Sequence, residues 1–74
     1  MAYTVGRCLL RELLDNAKME QVELAKRLNV KPPQINKYVN NVQGMSYEVA
    51  KNISTILNCN MEDLYEWEEV GENE

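Results

Sequence analysis

The chain has 74 residues, 45% of them hydrophobic and 27% charged, with a formal net charge of −4. That size allows one small domain with one modest core, marginal without help such as dimerisation, and regular apolar positions exclude wholesale disorder. No apolar run reaches the roughly 18 residues of a transmembrane helix, so no membrane partner is expected. The opening MAYTVGRCLL lacks the basic flank, long apolar stretch and cleavage site of a signal peptide, which points to a cytoplasmic protein.

Helical spacing runs through nearly the whole chain, and period-two alternation never persists. Leu9, Leu10, Leu13, Leu14 and Ala17 recur at three and four, predicting a first helix from Thr4 or Val5 to Ala17, with Thr4 as N-cap. A second helix is predicted over Gln21 to Leu28, closed by Asn29, which tolerates the left-handed conformation of a helix end. Pro32-Pro33 then reads as the rigid start of a third helix through Val39. Proline in the first turn forfeits no hydrogen bond, and Lys31, preceding a proline, is pushed into the extended region an N-cap needs.

Residues 40–45, NNVQGM, form a loop by composition. Ser46 is expected to cap a fourth helix, Tyr47 to Leu57, and Asn60 with Asp63 a fifth, from Met61 to about Trp67. The predicted core is Leu10, Leu13, Leu24, Ala25, Leu28, Val30, Ile35, Tyr38, Ile53, Leu57 and Leu64, whereas Val22, Val39 and Val49 have no obvious place in it. Cys8 and Cys59 read as reduced core thiols, with a regulatory disulfide as the alternative, and no histidine is present to complete a mixed zinc site. The expected organisation is a single domain over residues 1–70 and a frayed acidic tail over 71–74.

The acidic total hides a segregation of charge. Residues 62–74 carry seven acids and no base, while residues 1–61 hold eight bases against five acids. Between Glu23 and Glu48 there is no acid at all, and Lys26, Arg27, Lys31 and Lys37 lie there. A local basic surface decides binding to a polyanion more than net charge does. No nucleophile and base stand in a recognisable arrangement and no glycine-rich phosphate loop exists, so neither enzymatic activity, a metal nor a cofactor is expected.

A two-turn helix, a corner of about three residues and a third helix with a polar outer face make the helix-turn-helix pattern, in which the second helix of the pair enters the major groove of double-stranded DNA. The stretch QVELAKRLNVKPPQINKYVNN, with Gln21, Leu24-Ala25, Leu28, Val30 and Ile35 in place, resembles the Cro/cI-type (XRE-like) helix-turn-helix repressors of phages and bacteria. LLRELLDNAKM upstream and SYEVAKNISTILNCNMEDLY downstream extend the resemblance, without a gap, over about residues 6 to 65. It implies an all-α, compact five-helix lambda-repressor-like DNA-binding domain with the helix-turn-helix formed by helices 2 and 3.

The resemblance also implies roles. Gln21 falls where a glutamine meets a DNA phosphate, Lys31 where a capping residue lies near the backbone, and Asn36, Asn40 and Asn41 where further backbone contacts arise. Pro32, Pro33, Gln34 and Lys37 fall at the base-reading positions. The chain departs from the family at Glu20 and Lys31, which replace hydroxyl caps, and at Asn41, which replaces a frequent glycine. Prolines cannot hydrogen-bond bases but can pack on thymine methyls, leaving Gln34 to read adenine and Lys37 guanine.

Tyr65, Trp67 and Val70 are candidates for a symmetric homodimer interface, since Tyr and Trp favour interfaces. Such a dimer would set two recognition helices roughly 34 Å apart. The acidic C-terminal end reads either as a solubility device or as a dock for a basic protein partner. Taken together, the residues predict a sequence-specific transcriptional regulator, a phage or mobile-element repressor or Cro-like switch acting by operator occupancy. The competing prediction is a protein-interaction module, antitoxin-like or an antirepressor, that keeps the fold without strong DNA binding.

Overall fold

A computed structural model describes residues 2–70; the expected fraying of residues 71–74 lies outside them. Strand β1 (Ala2–Cys8) leads into helices α1 (Leu10–Ala17), α2 (Gln21–Leu28), α3 (Pro32–Val39) and α4 (Tyr47–Leu57), followed by one 3-10 turn (Met61–Leu64) and strand β2 (Tyr65–Val70). The two strands pair antiparallel into a sheet that brings the ends of the described chain together.

The middle helices begin and end where local chemistry places them. Lys31 sits at φ −83°, ψ 146°, extended as its proline neighbour requires, and α3 starts at Pro32. The Ser46 side chain accepts the Val49 N–H at 3.1 Å and caps α4. Neither Glu20 nor Lys31 makes a side-chain cap. Helices α1, α2 and α4 all close on a left-handed residue other than glycine: Lys18, Asn29 and Asn58, with φ of 56°, 62° and 58°. In each case the next amide reaches back to the last turn, Met19 to Leu14 O, Val30 to Ala25 O and Cys59 to Ser54 O. Met19, Val30 and Cys59 are apolar and half-buried against the core, so each helix stop doubles as a packing contact.

The all-α, five-helix expectation is corrected at both ends of the chain. The first helix begins only at Leu10, and the residues from Thr4 to Cys8, expected in it, run as strand. Thr4 therefore lies inside β1, not at a cap. The fifth helix is a single 3-10 turn, after which Tyr65 to Val70 extend as β2. The Asn60 N–H does donate to Asp63 Oδ2 at 3.1 Å, so the expected helix start is present although the helix is not. Tyr3, Thr4, Val5, Tyr65, Trp67 and Val70 are strand-favouring residues whose preference is realised only when the two segments meet. In the register, Val5 faces Trp67 and Thr4 faces Glu68, with an irregularity between Val5 and Cys8. Gly6 allows the close approach there: a Cβ on it would stand 3.1 Å from the Glu66 Cβ and 3.2 Å from the Glu66 carbonyl oxygen.

Leu10, Leu24, Ala25, Ile35, Tyr38, Ile53 and Leu64 are buried in one core, together with Cys8, Leu14 and Val39. The other expected core residues, Leu13, Leu28, Val30 and Leu57, are half-buried around it. Val39, without an assignment from sequence, is only 5% exposed; Val49 packs at the margin, and Val22 is exposed. Both cysteines are free, Cys8 buried and Cys59 half-buried, and burial pushes both thiols up. Buried Ser54 donates to the Lys51 carbonyl at 2.9 Å, so its hydroxyl is satisfied. Among the described residues no helix is long and apolar enough to cross a membrane.

Arg7, in the irregular part of β1, reaches Glu12 of α1 at 2.9 Å and Glu66 of β2 at 3.4 Å. The hydrogen bond from Arg7 holds the Glu12 carboxyl below the usual range, while all three groups stay in water. In Arg7→Ala, carboxyl NMR titration is expected to show Glu12 returning upward to an ordinary value. Because the folded value is the depressed one, the small stabilisation it brings is present above the unfolded carboxylate range and lost as pH falls through the folded value. Lys18→Gly should raise stability by about 0.5–1 kcal/mol, a few degrees of thermal midpoint by calorimetry, because only glycine adopts the left-handed region without strain.

Candidate nucleic-acid interface

Three residues, Asn29 to Lys31, separate α2 from α3, and this corner is closed by the Val30 N–H donating to Ala25 O at 3.0 Å. Helix α3 buries Ile35, Tyr38 and Val39, which turns Pro32, Pro33, Asn36 and Lys37 outward. Gln34 is half-buried at the margin, its Nε2 donating to Gln43 Oε1 at 3.3 Å. The helix contains no acid, and Lys37 stands in its last turn. All four base-reading candidates therefore belong to one helix, with Pro32, Pro33 and Lys37 exposed and Gln34 at the margin of its outer face.

Ion pairs among the described residues involve only Arg7 and Arg27, the latter bound to Glu23 one turn away at 2.7 Å. Lys26, Lys31, Lys37 and Arg11 make none among them. Of the four cations between Glu23 and Glu48, Arg27 is thus partly neutralised within α2, and the other three remain available to a polyanion.

The backbone candidates divide. Gln21, the first residue of α2, is half-buried in a shallow groove shared with Arg11 of α1. Arg11 Nη2 donates to Asn40 Oδ1 at 3.1 Å, and Asn40 Nδ2 donates to Asn36 Oδ1 at 2.9 Å. A polar chain therefore runs along one side of α3 from Arg11 through Asn40 to Asn36. Asn41 is different: it occupies the left-handed region at φ 61°, and its Oδ1 accepts the Cys8 N–H at 2.9 Å. That carboxamide fastens the loop after α3 to the end of β1, which commits its oxygen to the fold.

Arg11 escaped the sequence reading. A lone arginine on the polar face of an amphipathic helix carries no signal of its own, and only the packing of α1 beside α3 brings its guanidinium to Asn40.

The dimer candidates Tyr65, Trp67 and Val70 all lie in strand β2, not on a helix. Tyr65 is half-buried and its hydroxyl accepts the Met45 N–H at 3.1 Å, so it tethers the loop before α4. Residues paired across an antiparallel ladder share a face and successive residues alternate. Trp67, opposite Val5, and Val70, opposite Ala2, therefore project from opposite faces of the sheet. Trp67 is half exposed, with its indole N–H donating to Glu62 O at 2.8 Å.

A three-residue corner holding an eight-residue helix with a polar, acid-free outer face defines a helix-turn-helix protein. Residues 9–69 match the Cro/C1-type HTH DNA-binding domain family, and the chain belongs to that family. It is also similar to the SPbeta prophage-derived uncharacterized HTH-type transcriptional regulator YopS of Bacillus subtilis (strain 168). The two are 38% identical over 64 residues, which is 85% of this chain and 86% of that relative. The resemblance noted from QVELAKRLNVKPPQINKYVNN is thus confirmed, although the fold that carries it includes a sheet.

Asn41 yields a stability prediction. Asn41→Ala loses the acceptor for the Cys8 N–H and strains the backbone, and is expected to destabilise by about 1–3 kcal/mol in urea unfolding. Asn41→Gly, which relieves the backbone but not the amide, should fall in between. Hydrogen exchange at the Cys8 amide should quicken in both.

Proposed function

We propose that the protein is a sequence-specific, double-stranded DNA-binding transcriptional regulator that acts by occupying an operator. The observation that carries this reading is the outer face of α3: exposed, free of acid, bordered by Lys31, Lys37 and Arg11, none of which is paired with a carboxylate among the described residues. Family membership and the likeness to a relative named as a prophage-derived transcriptional regulator support the same reading.

In this proposal Gln34 and Lys37 read base edges in the major groove, and Pro32 and Pro33 pack on thymine methyls. Gln34 starts from a partnered state: its amide must leave Gln43, or carry Gln43 with it, to reach a base. Gln21, Lys31, Asn36 and Asn40 contact the phosphate backbone, with Arg11 added to them by its place beside Asn40. Asn41 contributes through the loop it holds. Phosphate contacts supply most of the affinity, and base contacts with DNA shape supply discrimination. Repression by exclusion of other proteins follows from occupancy alone.

Mobility shifts on DNA from upstream of the protein's own gene, at two salt concentrations, test this. Gln34→Ala and Lys37→Ala should each weaken specific binding by about 1–3 kcal/mol and relax preference at one position. Arg11→Ala should weaken binding to all sequences alike and reduce the salt dependence by about one phosphate contact. Failure to bind that DNA, and any member of a randomised pool, at moderate salt would reject DNA binding in favour of a protein-interaction module.

A further inference from the structure

Side-chain hydrogen bonds flank the outer face of α3 on both sides. At about 100° per residue, Pro33 and Lys37 lie at the centre of that face, with Asn36 and Asn40 to one side and Gln34 to the other. Arg11 holds the first side through Asn40. The Gln34 side is held by Gln43, in the loop after α3, whose Oε1 accepts from Gln34 Nε2 at 3.3 Å.

Gln43 is itself tethered. Its backbone N–H donates to the Lys37 carbonyl at 3.3 Å, and the Val42 N–H donates to the same oxygen at 2.9 Å, so the loop folds back onto the last turn of α3. Asn41, left-handed at φ 61°, makes that return, and its carboxamide fastens the loop to Cys8. The exposed Gln43 side chain thus reaches half-buried Gln34 from a fixed backbone.

A carboxamide has two N–H donors and one acceptor oxygen, and Gln43 takes a single donor of Gln34. The remaining N–H and Oε1 of Gln34 are the donor and acceptor that adenine matches with its N7 and N6 in the major groove. Holding Gln43 and reading a base are therefore compatible. Without a partner, Gln34 could turn its amide over, exchanging donor for acceptor, and would lose more rotamer freedom on meeting a base. From this we infer that Gln43 is a positioning residue for base reading: its oxygen fixes the amide of Gln34, and the preference at the base pair under Gln34 depends on both glutamines. This role rests on the DNA-binding reading, in which Gln34 meets a base edge. It differs from a phosphate contact made by Gln43 alone, which would strengthen binding to every sequence alike.

Selection from a randomised DNA pool, followed by titration of the selected site and its single-base variants, separates the two roles. Gln34→Ala should lower discrimination at one base pair by roughly fivefold to a hundredfold. Gln43→Ala should relax the same base pair by about threefold or more, with the salt dependence, far-UV circular dichroism spectrum and thermal midpoint of the unaltered chain. Gln34→Ala/Gln43→Ala should relax it no further than Gln34→Ala alone. Gln43→Glu keeps an acceptor for Gln34 but brings a negative charge to the DNA, so it should weaken binding to all sequences while retaining the preference that Gln43→Ala loses. In the free chain, NMR relaxation should show the Gln34 side-chain amide ordered in the unaltered protein and in Gln43→Glu, and mobile in Gln43→Ala. A preference unchanged in Gln43→Ala, or a uniform loss across sequences with one phosphate contact fewer in the salt dependence, overturns the role while DNA binding stands. If the unaltered chain binds no sequence in the pool, the DNA-binding reading falls and the role of Gln43 falls with it.

Discussion

Ile35, with Tyr38 and Val39 beside it, sets the rotation of α3 about its own axis, and the rest of the candidate interface follows from that. In an eight-residue helix three inward positions leave little choice for the others: burying Ile35 completely forces Pro32, Pro33, Asn36 and Lys37 to the outside. A slip of one residue would turn the helix by about 100° and bury a lysine or an asparagine instead, so core packing decides which side chains meet a ligand. The prolines strengthen the constraint at the N-terminal end, where their locked φ fixes the direction in which α3 leaves the corner.

The other end of α3 is held by side chains. Asn41 ties the loop to Cys8, and Arg11 ties Asn40 to α1, so the C-terminal end of α3 is joined to two elements brought from the start of the chain. The Leu9 N–H donates to Leu64 O at 2.8 Å, linking the start of α1 to the turn before β2. The sheet therefore joins the two ends of the described chain at the same place where α3 is anchored. A 74-residue chain with a small core gains from such closure, because long-range contacts restrict the ends that would otherwise fray.

Charge is partitioned over this architecture in a way that the net value of −4 conceals. In the helix-turn-helix Lys26, Lys31 and Lys37 make no ion pair among the described residues, with only Arg27 bound to Glu23, whereas β2 collects glutamates along a strand. Within the described residues the acidic C-terminal stretch includes β2, where Glu66, Glu68 and Glu69 are exposed along a two-stranded sheet.

Sequence alone determined α2, the corner, α3 and α4 with their boundaries, because those limits are local: a proline that disposes of its neighbour, an asparagine in the left-handed region, a serine whose oxygen meets an amide three residues on. Periodicity also placed Asn36 and Lys37 outward on α3, whereas packing left Gln34 half-buried and buried Val39. Only the tertiary structure decided the sheet, the place of Arg11 and the work of Asn41. Strand pairing joins residues 57 to 68 positions apart, and neither YEWEEV nor AYTV shows the burial alternation that would betray a strand, because both faces of the ribbon are largely exposed. Hydrogen bonds such as Cys8 N–H to Asn41 Oδ1 depend on where three elements meet in space, and no local pattern encodes that meeting.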